Sequence, residues 1–171
     1  MNHSSRIFGA CVGAYASFAQ AAELQIVSVP ETTIIAVAPA SNQPADYAAA
    51  FGKLVGYYAL PNRPSQPIFP QMSVSLKGKS YAAIAVSGRP ESEGPVEVLA
   101  LPACQFVRDK YVGNYPGLVV KVQSLISAAN QEGWAIAPQC GIRVHHLNSP
   151  DDTPVEKLVH EIYVPVAKRE P

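Results

Sequence analysis

The sequence lacks a surplus of charge of either sign. Its 13 lysine and arginine residues equal its 13 aspartate and glutamate residues, and charged residues make up only 15% of the chain. A nucleic-acid-binding surface needs a concentration of basic side chains, and an electrostatic membrane anchor needs the same. We therefore expect no nucleic-acid partner and no membrane anchor.

Cysteine is also scarce, and no two cysteines have the C-x-x-C spacing of zinc sites or redox motifs. His145 and His146 are adjacent, so on a strand they point to opposite faces and cannot hold one metal together. No G-x-S-x-G motif occurs, and neither Cys104 nor Cys140 can be placed beside a histidine. We expect no metal site and no cofactor, and no nucleophile paired with a base is recognisable.

The first 21 residues have the composition of a secretory signal peptide. Arg6 precedes the uncharged run IFGACVGAYASFA, and AQA at 19–21 has the small-x-small form of a cleavage site. The run is shorter than the roughly 20 apolar residues that a spanning helix needs. We predict that residues 1–21 are removed and that residues 22–171 form one periplasmic or secreted domain; the alternative is an uncleaved N-terminus.

Removal of this segment would take Cys11 with it and leave Cys104 and Cys140. Two interpretations stay open for this pair. Disulfides persist in oxidising compartments, and a bridge requires the two Cα atoms to lie within about 7 Å. Otherwise the two side chains are small buried hydrophobic groups with free thiols.

The rest of the chain shows the same order of elements twice, β-α-β-β, over about 24–90 and about 95–167. In the first half a helix in QPADYAAAFGKLVGYYA, with Asp46 as its cap, follows LQIVSVPETTIIAVAPA and precedes a hairpin around Lys77 to Lys79. In the second half PVEVLALPACQFVRDKYVG leads to the helix YPGLVVKVQSLISAANQEG and the strands GIRVHHL and KLVHEIYVPV. This order predicts an α+β fold of two β-α-β-β repeats in pseudo-twofold arrangement, with one antiparallel sheet and both helices on one face.

The last strand contains a carboxylate within an apolar run. By alternation Ile162, Val164 and Val166 share the core side with His160, whereas Glu161 and Tyr163 face the other way. A buried carboxylate is costly unless it is paired, and burial alone would raise its pKa. Glu161 therefore lies either on a solvent-exposed face or in a pocket.

The passages LPACQFVRDKYVGNYPGL, GIRVHHLNSP and HEIYVPV, in this order and spacing, resemble the GyrI-like family, which includes effector-binding domains of bacterial transcription regulators. The resemblance covers residues 24–167. It implies a small-molecule pocket between the two halves, with the carboxylate of the last strand at the base of an aromatic-walled pocket for cationic, apolar ligands. By motif that carboxylate is Glu161, accompanied by Tyr163, Tyr111 and Tyr115.

Two departures from the family pattern affect this expectation. His146 stands where the family usually has a tyrosine, and a protonated histidine would repel a cation. No helix-turn-helix motif is recognisable before the domain, so we expect that the chain by itself is not a transcription regulator. With Trp134 added for its apolar body and polar handle, the predicted ligand-binding residues are Glu161, Tyr163, Tyr111, Tyr115, Trp134 and His146.

The main functional hypothesis is an exported protein that binds an apolar or amphipathic organic molecule, cationic or uncharged, in a pocket between the two halves with Glu161 as polar anchor. The alternative is a hydrolase of small electrophilic compounds in which Glu161 activates water, since a carboxylate with a raised pKa can act as a general base. A weaker alternative is haem binding, because SOUL haem-binding domains have a similar architecture. No C-x-x-C-H attachment motif accompanies it.

Overall fold

The computed structural model describes residues 24–59 and 65–169, so the predicted signal peptide lies outside the described residues. The described chain contains nine strands and two α-helices. Their bounds are β1 Gln25–Val29, β2 Thr32–Val37, α1 Pro44–Ala59, β3 Ser65–Leu76, β4 Lys79–Gly88, β5 Glu97–Leu101, β6 Cys104–Val112, α2 Tyr115–Gln131, β7 Trp134–Ile136, β8 Ile142–His146 and β9 Val159–Lys168.

The strands form one antiparallel sheet in the order β1-β6-β9-β8-β3-β4-β2-β5, and β7 pairs with β9. Helix α1 packs on β2 and β4, and α2 packs on β6, β7 and β9. Register places both helices on one face: Ala82, which packs under α1, is opposite Ser73, and Ser73 is opposite Val144, which packs under α2. The predicted α+β fold is confirmed. We call this side of the sheet the helix face.

The two helices begin and end close to the predicted residues, with one difference. Asp46 does not cap α1, because the helix begins at Pro44, whose fixed φ suits a first turn. Asp46 lies within that turn and accepts a hydrogen bond from the Ser41 hydroxyl. At the start of α2, the Asn114 side chain accepts a hydrogen bond from the Gly117 N–H at 2.9 Å.

Each predicted half gives its first strand to the other half. β1 pairs with β6 and β5 pairs with β2, so the two long strand-like segments are each divided. The divisions fall at Pro30–Glu31 and Pro102–Ala103, where proline cannot donate to a ladder. The segments 24–90 and 95–167 are therefore interlocked through their edge strands.

These two short connections require a strongly curved sheet. β5 and β6 are six positions apart in the strand order, which would separate them by about 29 Å in a flat sheet. The two residues between Leu101 and Cys104 span at most about 11 Å. The ends of the sheet must therefore curl toward each other, and Arg143 of β8 reaches across to the Pro102 carbonyl at 3.5 Å.

Curling creates an enclosed side, which we call the inner face, opposite the helix face. Ile34, Leu101 and Phe106 are 0% exposed there although neither α-helix covers them. On the helix face of β9, Ile162 and Val164 are 0% exposed, as the alternation predicts, whereas Glu161 and Tyr163 project inward and are only partly buried.

Candidate functional site

Glu161 is held on the inner face by two side chains. Oε1 pairs with Nη2 of Arg108 at 2.6 Å, and Oε2 accepts a hydrogen bond from the Tyr163 hydroxyl at 3.0 Å. Antiparallel register explains the meeting, because Arg108 of β6 lies opposite Tyr163 of β9, two residues from Glu161. Both carboxylate oxygens therefore already have partners.

This pairing reverses the pKa shift expected from burial. Burial raises the pKa of Glu161, but the hydrogen bonds from Arg108 and Tyr163 outweigh it, so the pKa lies below the ordinary value. The two charged side chains are 21% and 36% exposed, which places the pair at the edge of the inner face. Glu161 is therefore ionised, and the positive charge of Arg108 balances its negative charge.

Further into the inner face two other polar side chains, His145 and Arg143, lie against aromatic rings. The His145 ring lies 4.8 Å from the Tyr163 ring, and burial, with the positive charge of Arg143 and Arg108, lowers the pKa of His145 although Glu161 raises it. The Arg143 guanidinium lies 4.7 Å from the Phe106 ring centre. Arg143 is only 3% exposed, and burial lowers its pKa to about 10.

The other predicted ligand-binding residues do not join Glu161 and Tyr163. Tyr111 and His146 are both opposite His160, and the alternation of β9 puts His160 on the helix face when Glu161 is on the inner face. Trp134 pairs with Lys168, so at about 3.3 Å per residue it lies about 20 Å along β9 from Glu161. The predicted set is divided between two faces and two ends of the sheet.

On the helix face, aromatic side chains from both halves converge on two histidines. The Phe51 ring of α1 lies 6.0 Å from the His146 ring, and the Tyr115 ring, at the start of α2, lies 6.4 Å from His146 and 5.7 Å from His160. Tyr111 stacks on His160 at 6.2 Å. We call this region the seam and define it by Phe51, Ser73, Tyr111, Tyr115, His146 and His160.

A chain of hydrogen bonds crosses the floor of the seam. Ser73 Oγ lies 2.8 Å from His146 Nε2, and His146 Nδ1 lies 3.0 Å from His160 Nδ1. His160 is 1% exposed and lies beneath the half-buried Ser73 and His146. Each ring nitrogen of His146 is therefore engaged by a different partner.

Burial keeps the seam largely uncharged. It lowers the pKa of His146 to about 4, with His160 and His145 adding to the effect, and it lowers the pKa of His160. Burial also raises the pKa of Tyr115, and the exposed Asp151 carboxylate raises it further. Above the ordinary histidine pKa of 6.5 both histidines are neutral and can donate and accept hydrogen bonds.

Sequence reasoning assigned Arg108, Ser73, His160 and Phe51 to no functional site. Arg108 gave no signal because a single arginine in a strand is normally solvated. Ser73 lies in an ordinary alternating strand, and His160 was set aside because it faces away from Glu161. Only the register among β3, β8 and β9 brings Ser73 and His160 to His146.

Within residues 24–59 and 65–169, no group of three or more histidine, cysteine or acidic side chains is arranged to hold a metal ion. No helix in the same part of the chain has the length and apolar character needed to cross a membrane.

No protein-family model matches the chain, and no curated protein sequence matches it. Solved structures do match. The chain of EcmrR in a DNA complex has a TM-score of 0.69 and 17% identity, over 86% of this chain, which spans 58% of that one. The isolated EcmrR C-terminal domain has a TM-score of 0.65 and 15% identity, with 86% of this chain and 98% of that domain covered.

Two further structures match at similar coverage. SAV2435 bound to tetraphenylphosphonium has a TM-score of 0.56 and 18% identity, covering 85% of this chain and 94% of that one. A hydrolase from Listeria innocua has a TM-score of 0.56 and 13% identity, covering 88% and 94%. At these identities the likeness concerns the fold. The chain therefore has the fold of the EcmrR C-terminal domain and of SAV2435, as its resemblance to the GyrI-like family predicts.

Proposed function

We propose that this protein binds a small, largely apolar aromatic molecule in the seam between α1 and α2. The observation that carries the proposal is the convergence on His146 of one aromatic ring from each half, Phe51 at 6.0 Å and Tyr115 at 6.4 Å. Ligand sites are mostly lined by apolar and aromatic groups with a few convergent polar atoms, and the seam has this composition. SAV2435, which has the same fold, carries bound tetraphenylphosphonium.

The charge distribution favours an uncharged ligand over a cation. The two seam histidines are held neutral by burial, and the carboxylate that acts on the seam is Asp151, on the exposed loop before β9. Glu161 lies on the opposite face and is neutralised by Arg108. We therefore propose Tyr115, in place of Glu161, as the polar group that hydrogen-bonds the ligand.

The test compares two ligands of similar shape and different charge by isothermal titration calorimetry: triphenylphosphine oxide, which is neutral, and tetraphenylphosphonium. We expect the neutral compound to bind the wild-type protein more tightly. Phe51→Ala and Tyr115→Ala should each weaken it by roughly 1–3 kcal/mol, because a buried aromatic contact is lost.

Glu161→Gln serves as the matched control on the other face and should leave the affinity for triphenylphosphine oxide unchanged. Preferential binding of tetraphenylphosphonium that is lost in Glu161→Gln and retained in Phe51→Ala would contradict the seam and restore Glu161 as the anchor. Absence of binding by either compound, in protein shown to be folded, would contradict the choice of ligand class.

Hydrolysis through Glu161 is not favoured. A general base is most effective when its pKa lies near the working pH. Both oxygens of Glu161 already accept hydrogen bonds, and its pKa is lowered, away from neutral pH.

We also propose that the protein is exported. A disulfide between Cys104 and Cys140, whose Cα atoms are 6.3 Å apart, suits an oxidising compartment.

A further inference from the structure

The floor of the seam has the connectivity of a serine nucleophile with its base. Ser73 Oγ is 2.8 Å from His146 Nε2, within hydrogen-bond reach, and His146 Nδ1 is in turn 3.0 Å from a third group, His160 Nδ1. Nucleophile, base and orienting group in this sequence are the arrangement by which a hydroxyl is activated for acyl transfer.

The mechanism requires one arrangement of protons on the two histidines. His160 Nε2 is buried and has no hydrogen-bond partner among the described residues, and burial lowers the pKa of His160, although the Gly113 backbone raises it. With its proton on Nε2, neutral His160 has Nδ1 as an acceptor. His146 then donates from Nδ1 to His160, and its Nε2 accepts from the Ser73 hydroxyl.

This chain of hydrogen bonds is accessible to a ligand at its Ser73 end, unlike a polar network that is fully buried in a core. Ser73 and His146 are half-buried, whereas His160 beneath them is 1% exposed. The half-buried Phe51 and Tyr115 rings flank His146, so an aromatic group bound in the seam lies beside the Ser73 hydroxyl.

We propose that Ser73 is a nucleophile toward small aromatic or apolar esters, with His146 as its general base and His160 as the positioning residue that fixes the tautomer of His146. The inference rests on the seam that the proposed function assigns to a ligand, and it adds a reaction to that binding.

In the reaction, Ser73 Oγ forms a bond to the ester carbonyl carbon while its proton passes to His146 Nε2. The bond between that carbon and the alkoxy oxygen then breaks, and the leaving alcohol takes the proton from His146. Water next attacks the acyl group and gives its proton to His146, and the bond to Ser73 Oγ breaks as Ser73 regains a proton. One ester and one water become an alcohol and a carboxylic acid.

The third residue sets the expected rate. A carboxylate in that position stabilises the imidazolium that forms during attack. The neutral His160 stabilises the imidazolium less than a carboxylate would. In addition, the burial that keeps His146 neutral opposes the protonation of His146 during attack. We therefore expect slow acylation, detectable by a covalent probe and by release of nitrophenolate.

The first measurement is labelling with an alkyl fluorophosphonate, which replaces fluoride by the serine oxygen and leaves a stable adduct. Intact mass should show one adduct on the wild-type chain, and peptide mapping should place it on Ser73. Mapping is done on the wild-type protein, so it does not depend on how a variant folds. An adduct at another residue, or none on folded protein, would overturn the proposal.

The second measurement is hydrolysis of 4-nitrophenyl acetate. Ser73→Ala should lower the acylation rate roughly 100-fold, the size of effect typical of a positioned acid–base pair. Ser75→Ala is the matched control, since Ser75 is an exposed serine two residues along β3, and it should react as the wild type does. Equal rates for wild type and Ser73→Ala would overturn the proposal.

The role of His160 is tested by a pair of substitutions of similar size. His160→Asn retains an acceptor for the His146 Nδ1 proton and should keep most of the acylation rate. His160→Leu removes the acceptor, and its acylation rate should fall to that of Ser73→Ala. A purely structural role would make the two variants equally impaired. Binding of triphenylphosphine oxide is followed separately on the wild type: retained binding without acylation overturns the nucleophile and leaves the proposed function standing.

Discussion

At the scale of single residues, the two faces of β9 hold polar groups in opposite states. His160 is neutral on the helix face, and Glu161 is ionised and paired on the inner face. Alternation predicts that the side chains of these two neighbouring residues point to opposite faces. It does not predict which residues each side chain contacts. The partners, Arg108 for Glu161 and His146 for His160, come from register with β6 and β8.

The buried histidines predict a loss of stability in mild acid. The pKa of His146 is about 4 in the folded protein, against an ordinary 6.5, so the unfolded chain binds more protons between these values. Stability is therefore complete above about pH 6.5 and falls as the pH drops toward 4, by on the order of 3 kcal/mol from His146. Urea unfolding at a series of pH values measures this slope.

His146→Gln should flatten that slope, leaving the part due to His145 and His160, whose pKa values are also lowered. The lowered pKa of Glu161 acts in a separate window, because its contribution is present above the ordinary pKa of 4.5 and is lost only as the pH falls below it. An unfolding free energy independent of pH between 6.5 and 4.5 would contradict the buried, neutral state of these histidines.

The Arg108–Glu161 pair should contribute modestly to stability. Glu161→Gln keeps the shape and one acceptor but removes the charge opposite Arg108, and for a partly exposed pair the cost is about 1 kcal/mol. Chemical denaturation of this variant, with Glu31→Gln on the exposed β1–β2 connection as control, measures the difference. A loss of several kcal/mol in the free energy of unfolding would contradict this modest contribution, because solvent would then screen the pair less than its partial exposure predicts.

At the scale of elements, both helices and the hairpin between β3 and β4 were predictable from the sequence. Their signals are local: helical periodicity, and the turn around Lys77 to Lys79, where Lys77 and Gly78 have positive φ. The exchange of β1 and β5 was not predictable, because alternation identifies a strand and carries no information on its neighbour. For the same reason Tyr111 was placed beside Glu161, which lies on the opposite face.

The start of α2 depends on glycine in a way that α1 does not. A Cβ on Gly117 would collide with the Tyr111 hydroxyl and lie 3.0 Å from its Cζ, so Gly117→Ala should destabilise the protein and displace a seam residue. In α1 nothing lies within 4 Å of a Cβ on Gly52. Gly52→Ala should therefore stabilise by roughly 0.5–1 kcal/mol, the ordinary gain in a helix interior.

Thermal unfolding of these variants gives the comparison, and Tyr111→Phe provides the rescue. With the hydroxyl removed, Gly117→Ala should cost less in the Tyr111→Phe background than in the wild type. Equal costs in the two backgrounds would show that Tyr111 does not fill the space beside Gly117.

At the scale of the whole molecule, we predict that the exported form lacks about the first 21 residues, since that segment has a short apolar core and a small-x-small site. Intact-mass measurement of protein recovered from the periplasm checks this. A full-length mass in that fraction would contradict the cleavage.

Closure of the curved sheet is the feature on which the whole fold depends, and the Cys104–Cys140 disulfide lies at that closure. Cys104 begins β6 directly after the two-residue connection from β5, and Cys140 ends the short turn before β8, 36 positions further along the sequence. The bond therefore links the point where the ends of the sheet meet to its centre, beside the contact of Arg143 with the Pro102 carbonyl.

Restricting the unfolded chain in this way should stabilise the protein by about 2–4 kcal/mol. Comparison of the oxidised and reduced wild-type protein by denaturant unfolding isolates the bond from any effect of replacing the buried Cys140 side chain. Thiol titration of denatured, unreduced protein should find one free thiol in the full-length chain, that of Cys11, and none in a form that has lost residues 1–21. Two additional free thiols in either form would show that the sheet closes without the bridge, by packing and by the Arg143 contact alone.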